Sequence, residues 1–398
     1  SFANTGNINV SAGTVYMDTY SGSGTWTNTS TVGKGIAVSG GVLNLGDSFN
    51  ASALGNIAQT GGTVNLTGTM TLDQATNNLS SPGLTGLVIN NGTIIGGGNT
   101  LTANAGFALS SSNGTLNNVT LATDLAVNGS TYLVNGLTLA QNATTLNNAT
   151  VTINGSYLFY TGSQTLGGTG NVVFGGGSTS FLYHNGAAAT LTVGSGITVS
   201  GSGTSTAIFG WDSGDTINFQ GTLNANVASK NWYLGSFANT GNINVSAGTV
   251  YMDTYSGSGS WTNTSTVGKG IAVSGGVLNL GDSFTATGIG RITRSGGSIN
   301  ITGALDNTGQ TLDIGAAGAF GAGGLTSLTG TITNGTLVSN DGTLFNTPSG
   351  TLDGVTIGSN LGFTGGYAYI FNHLLLSNGI TVNKGSTEWY FRSGGTQN

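Results

Sequence analysis

Short runs in which apolar and polar residues alternate recur along the whole chain, among them NINV (Asn7 to Val10), GIAV (Gly35 to Val38) and VLNL (Val42 to Leu45). Thr63 to Leu66, Val151 to Asn154, Asn171 to Phe174 and Thr190 to Val193 continue the pattern. A period of two turns alternate side chains to opposite faces of a strand, so each run reads as a short half-buried strand. Between the runs stand tight-turn signals: Gly-Gly at 40 and 41, Asn-Gly at 91 and 92 and at 154 and 155, and three glycines at 175 to 177. No stretch sustains a 3.6-residue period between helix caps, so almost no helix is expected.

Short strands suit an antiparallel sandwich as well as a parallel β-solenoid, and three features favour the solenoid. The phrases GTVNL (from Gly62), GTII (from Gly92), GTLNNVTL (from Gly114), GTLVS (from Gly335) and GTLDGVTI (from Gly350) resemble successive coils of one winding. The many Asn, Thr and Ser residues can stack on their like in adjacent coils as polar ladders. The third feature is a repeat far longer than a sandwich domain, with no linker inside it. Coils of roughly 20 to 25 residues spaced about 4.8 Å apart predict an elongated rod, rising about 50 Å per repeat.

That repeat is nearly literal at its start. Residues 1 to 50 return at 236 to 285 with two differences, Thr25 against Ser260 and Asn50 against Thr285. The period is therefore 235 residues, which sets the units at 1–235 and 236–398, the second incomplete and continuous with the first. Ala51 to Gly68 against Ala286 to Gly303 has diverged, but swaps such as Val64 for Ile299 and Leu66 for Ile301 keep the shape that a coil interior needs. Both ends of the sequence fall within a repeat, as expected for a portion of something longer.

Composition narrows the function. Charged residues are 5% of the chain against about 25% in an ordinary soluble domain, yet 37% is hydrophobic, which separates it from disordered chains. The net charge of −6 is spread thinly and Lys34, Lys230, Lys269, Arg291, Arg294, Lys384 and Arg392 form no cluster, which argues against nucleic acid. No apolar run reaches the roughly 20 residues of a transmembrane helix. Cysteine is absent, so disulfides, thiol catalysis and thiolate metal sites are excluded.

Candidate chemistry is sparse. Asp212 and Asp215 are the closest acidic pair, and two carboxylates beside an aromatic ring suit glycosidase or calcium chemistry only if Ser213-Gly214 turns the chain. His184 and His373 occupy different places in the repeat and read as solvated loop residues. Neither a catalytic group nor a cofactor or metal site is expected. Asn-x-Ser/Thr triplets beginning at Asn28, Asn65, Asn118, Asn142, Asn148 and Asn263 follow from composition alone.

Aromatic residues are the better candidates. Tyr16, Tyr20 and Trp26 recur as Tyr251, Tyr255 and Trp261, while Trp232-Tyr233 and Trp389-Tyr390 are adjacent pairs of which one member must face outward. Outward rings can stack on sugars or fit a neighbouring molecule; inward ones plug the coil. The duplicated block, with Trp26 and Trp261, is expected to make lateral contacts between molecules.

The phrases FANTGNINVSAGTVYM, TLNNVTLATDLAVNGSTYLVNGLTL, SQTLGGTGNVVF and LTVGSGITVSGSG make the chain resemble the large secreted β-strand-repeat proteins of bacteria, of the filamentous-haemagglutinin and autotransporter-passenger type. The resemblance runs over essentially the whole chain. It implies a right-handed parallel β-solenoid, outside the cell or on its surface, serving in fibres, sheaths or adhesins. The sequence thus leads to a non-enzymatic structural protein that self-associates end to end or laterally. An adhesin stalk or module that binds surface glycans through exposed aromatics is the alternative, and a carbohydrate-cleaving β-helix has too few carboxylates to compete.

Overall fold

A computed structural model describes residues 1–19, 23–186, 188–211 and 213–392. They form a parallel β-solenoid, divided into two compact units, Ser1–Val199 and Ser200–Asn398. The repeat boundary between Gly235 and Ser236 lies inside the second unit. The only helical turns among the described residues are two short 3-10 segments, Ala51–Leu54 and Thr287–Ile289.

In the first unit one face is a stack of parallel strands that includes Thr14–Met17, Val42–Leu45, Thr63–Leu66, Gly86–Asn90, Ala108–Ser112, Leu125–Val127 and Thr150–Asn154. A second face stacks Ser48–Asn50, Thr69–Thr71, Thr93–Ile95, Thr115–Ala122, Thr131–Leu139 and Tyr157–Thr161. Coil length varies: Asn7 lies beside Gly35, Val42 beside Thr63 and Thr115 beside Tyr132. The alternation read from the sequence survives these changes, because insertions are taken up in turns while each strand keeps its inward parity. Leu45, Leu66 and Ile89 are thus buried one above another.

The second unit repeats the plan. Thr222–Ala225, Asn242–Val245, Gly270–Val273 and Ile292–Arg294 stack as one face, and Asn231–Leu234, Thr249–Met252, Val277–Leu280 and Ser298–Ile301 as another. Farther on, Ala304–Asp306, Thr331–Thr333, Ser349–Ile357, Tyr367–Leu376 and Glu388–Phe391 form a third parallel stack.

Asparagine ladders tie coil to coil. Asn4 Nδ2 donates to Asn28 Oδ1 at 2.8 Å, and Asn28 Nδ2 donates onward to the carbonyls of Leu54 and Asn56. The repeat rebuilds the same chain: Asn239 donates to Asn263, which donates to the carbonyls of Ile289 and Arg291. Buried amides in such a row satisfy both their own polar groups and backbone carbonyls that the turns leave over. Gly55 and Gly290 lie against these ladders with φ of 54° and 58°, and a side chain at either would run into the carbonyl of Asn28 or Asn263.

Candidate functional site

The duplicated block shows which aromatic residues are structural. Trp26 is buried, packs on Phe49 with ring centroids 4.3 Å apart, and donates from Nε1 to the Gly46 carbonyl at 2.9 Å. Trp261 does the same with Phe284 and Gly281. These two rings plug the coil, which corrects the expectation that they make lateral contacts. Inward parity at these positions follows from a polar carbonyl waiting inside for the indole N–H.

Trp232 is also buried, at 1% exposed, so it is unavailable to a glycan. Its neighbour Tyr233 faces outward and stacks on Tyr251 at 4.7 Å with planes 8° apart; Tyr255 meets Tyr233 edge-on and is itself exposed. Trp389 is half-buried and Tyr390 exposed, its hydroxyl donating to Glu388 Oε2 at 2.6 Å. Each adjacent pair therefore splits inward and outward as strand geometry requires. Tyr16 is 66% exposed, and Tyr20 lies outside the described residues.

A larger aromatic cluster in the first unit escaped the sequence reading. Tyr132, Tyr157, Phe159, Phe181 and Tyr183 pack together on the outward side of their strands, Phe159 buried by its neighbours, with Tyr157 and Phe181 stacked at 4.6 Å and Tyr132 and Phe159 at 5.1 Å. The signal was the spacing of two in YLFY and FLYH, which sends both rings of each strand to one side. Ring faces engaged in these stacks are not open to a sugar, and Tyr183 meets Tyr157, Phe159 and Phe181 edge-on.

Acidic residues pair across coils. In the first copy Asp47 accepts from Thr19 Oγ1 at 2.6 Å, Thr19 N at 3.0 Å and Gly24 N at 3.1 Å, and the Thr19 hydroxyl leads the contacts that hold its carboxyl below the usual range. In the second copy Asp282 accepts from Thr254 N at 2.7 Å and from the Thr254 hydroxyl. Asp253, the copy of Asp18, has its pKa pushed up to about 6 by burial and by the adjacent Asp282. Asp47 and Asp282 both sit in the left-handed region, with φ of 52° and 47°, which aims their carboxylates back at the loop.

The remaining candidates separate. Asp215 is buried and accepts from Trp211 N at 2.7 Å, while Asp212 lies outside the described residues. His184 is buried in the Ser180–His184 strand with Nε2 accepting from Gly162 N at 3.2 Å, which corrects its reading as a solvated loop residue; strand alternation turns the ring inward, where it meets Tyr160. His373 is half-buried in the Tyr367–Leu376 strand, likewise not in a loop, because the strand runs on through this position. Among the described residues no three His, Cys, Asp or Glu side chains converge as metal ligands, and no helix is long and apolar enough to cross a membrane. Asn28, Asn142 and Asn263, three of the Asn-x-Ser/Thr positions, are buried.

Stacked coils, internal ladders and outward aromatics together define a tandem-repeat β-solenoid. No protein family, curated relative or solved structure matches the chain.

Proposed function

We propose that this chain is a structural segment of an extracellular bacterial fibre, filament or sheath, whose work is mechanical and whose partner is another copy of itself. The observation that carries this reading is that the duplicated block rebuilds the same interior hydrogen bonds: the Asn4–Asn28 and Asn239–Asn263 ladders and the Trp26–Gly46 and Trp261–Gly281 hydrogen bonds coincide. A unit copied at that level can be added indefinitely, since each coil needs only its neighbours. Stacked strands also leave unpaired edges at either end of any finite array, and few charges oppose association.

Electron microscopy of the purified chain across a concentration series tests this. Filaments or bundles with an axial repeat related to the rise of one unit, about 50 Å, are expected. Single particles at every concentration would defeat the assembly reading and turn attention to surface-glycan binding. That alternative draws on the outward tyrosines Tyr157, Tyr255, Tyr367 and Tyr390, but has less support because these rings already pack against a neighbouring ring.

A further inference from the structure

Three successive coils in the middle of the first unit turn the same corner with loops of unequal length. Residues 103–107 join Thr100–Thr102 to Ala108–Ser112, residues 123–124 join Thr115–Ala122 to Leu125–Val127, and residues 140–149 join Thr131–Leu139 to Thr150–Asn154. The joined strands stack in register, with Leu101 beside Leu121 and Leu121 beside Leu139 before the corner. After it, Ser111 lies beside Val127 and Val127 beside Ile153. A corner of two residues therefore sits between corners of five and ten, and a polar cavity of about 180 Å³ opens where the short one leaves a gap.

Asn142 fixes the long corner as one wall of this cavity. It is buried, and its Nδ2 reaches past the short corner to donate to the carbonyls of Ala103 at 2.7 Å and Ala122 at 2.8 Å, while its Oδ1 accepts from Thr144 N and Thr145 N. The second unit shows the same corner without the insertion. There Ile357 lies beside Leu376 as Leu121 lies beside Leu139, and Leu361 beside Val382 as Leu125 beside Val151. Five residues separate Leu376 from Val382 where eleven separate Leu139 from Val151. Asn360 takes the place of Asp124: its Oδ1 accepts from Thr381 N at 2.7 Å, as Asp124 Oδ1 accepts from Thr150 N at 2.9 Å. An extra loop on one face of a repeated scaffold is where such arrays carry binding.

The groups lining the cavity are largely unspent. Thr123 is only 8% exposed, yet its hydroxyl bonds to no group among the described residues. The second oxygen of Asp124 accepts nothing there, and Asn104, whose Oδ1 accepts from Asn78, donates nothing from Nδ2. Phe107 is half-exposed and stacks on no other ring, unlike the outward tyrosines. Hydroxyl, carboxylate and amide beside a free aromatic face match a pyranose, which has hydroxyls around its edge and C–H groups on its faces. The volume lies below the roughly 300–1,000 Å³ of pockets for drug-sized ligands, so a single sugar ring is what it can enclose. Calcium takes 6–8 oxygen ligands and is poorly served by the lone Asp124 carboxylate. We propose that this corner binds one neutral pyranose ring, with Asp124 and Thr123 taking its hydroxyls and Phe107 lying against its C–H face. The site is separate from the outward tyrosines and does not depend on assembly of the chain.

Saturation-transfer NMR on the full chain tests this with a panel of neutral methyl pyranosides: glucoside, mannoside, galactoside and fucoside. Saturable binding of at least one member is expected. Asp124→Asn is expected to weaken it roughly tenfold or more, because a charge-assisted acceptor is replaced by a neutral amide. Circular dichroism of that variant should stay native, since Asn360 already makes the same corner bond in the second unit. Thr123→Val keeps the side-chain shape, removes the unpaired hydroxyl and is expected to act in the same direction. No saturable binding of any member overturns the proposal. So does binding that both variants leave unchanged, which places the sugar elsewhere on the chain. Calcium alone is the third arm: calcium bound by the unmodified chain and lost in Asp124→Asn, with no sugar bound, assigns the carboxylate to a cation and overturns the sugar site.

Discussion

Phe2 and Phe237 occupy the same place in the same sequence, and only a covering coil distinguishes them, so their replacement by alanine isolates the energy of coil stacking. The two rings differ by about half their area in exposure. An aromatic side chain buries roughly 150–250 Å², so the difference is about 100 Å², or about 2.5 kcal/mol at ~25 cal/mol per Å². Phe237→Ala also leaves a cavity among Phe209, Phe219 and their surroundings, which places its cost at about 3–5 kcal/mol. Phe2→Ala, with one side open, is expected to cost about 1 kcal/mol. Urea unfolding followed by circular dichroism at low protein concentration measures both. Hydrogen exchange at Thr249–Met252 and Thr14–Met17 reads the local loss directly, since coils in a repeat array can open separately. Costs equal within about 0.5 kcal/mol, the usual scatter for surface substitutions, would refute the account of how this face is buried.

Other consequences are sharper in sign than in size. Asn28→Ala strands the carbonyls of Leu54 and Asn56 and the amide of Asn4, and is expected to cost about 2–4 kcal/mol in urea unfolding, with Asn263→Ala matching it. Asp253 has a folded pKa of about 6, above its ordinary 3.8, so its contribution is fully present below pH 3.8 and is lost as pH rises through 6. Asp253→Asn should flatten that part of the stability–pH curve and stabilise the chain at pH 7 by about 1 kcal/mol, reduced from the full linkage value by solvent screening. Lys230 is buried with Nζ donating to the Ser205 carbonyl at 2.7 Å, and burial lowers its pKa to about 8. The folded state thus holds this proton less tightly than the unfolded chain, and stability should climb from pH 8 toward 10.5. Lys230→Met should remove the climb and raise the thermal midpoint at pH 7, because a buried charge gives way to apolar packing.

The sequence by itself determined the strands, their inward parity and the repeat, because alternation and turn residues act within a few positions of one another. Asn7 to Val10, Gly35 to Val38, Val42 to Leu45 and Thr63 to Leu66 stand as read, and the asparagine ladders were foreseeable as a kind. Which residues meet across coils was decided only by the tertiary structure. The offset between stacked partners changes from coil to coil, so no constant spacing pairs Asn4 with Asn28, Thr19 with Asp47 or Tyr233 with Tyr251. Nor did local pattern show what Trp26 meets inside, since the carbonyl that accepts from its indole N–H is supplied by Gly46 in the next coil. Identical letters at Phe2 and Phe237 take different environments for the same reason: burial belongs to the neighbouring coil, and a residue's own sequence does not contain it.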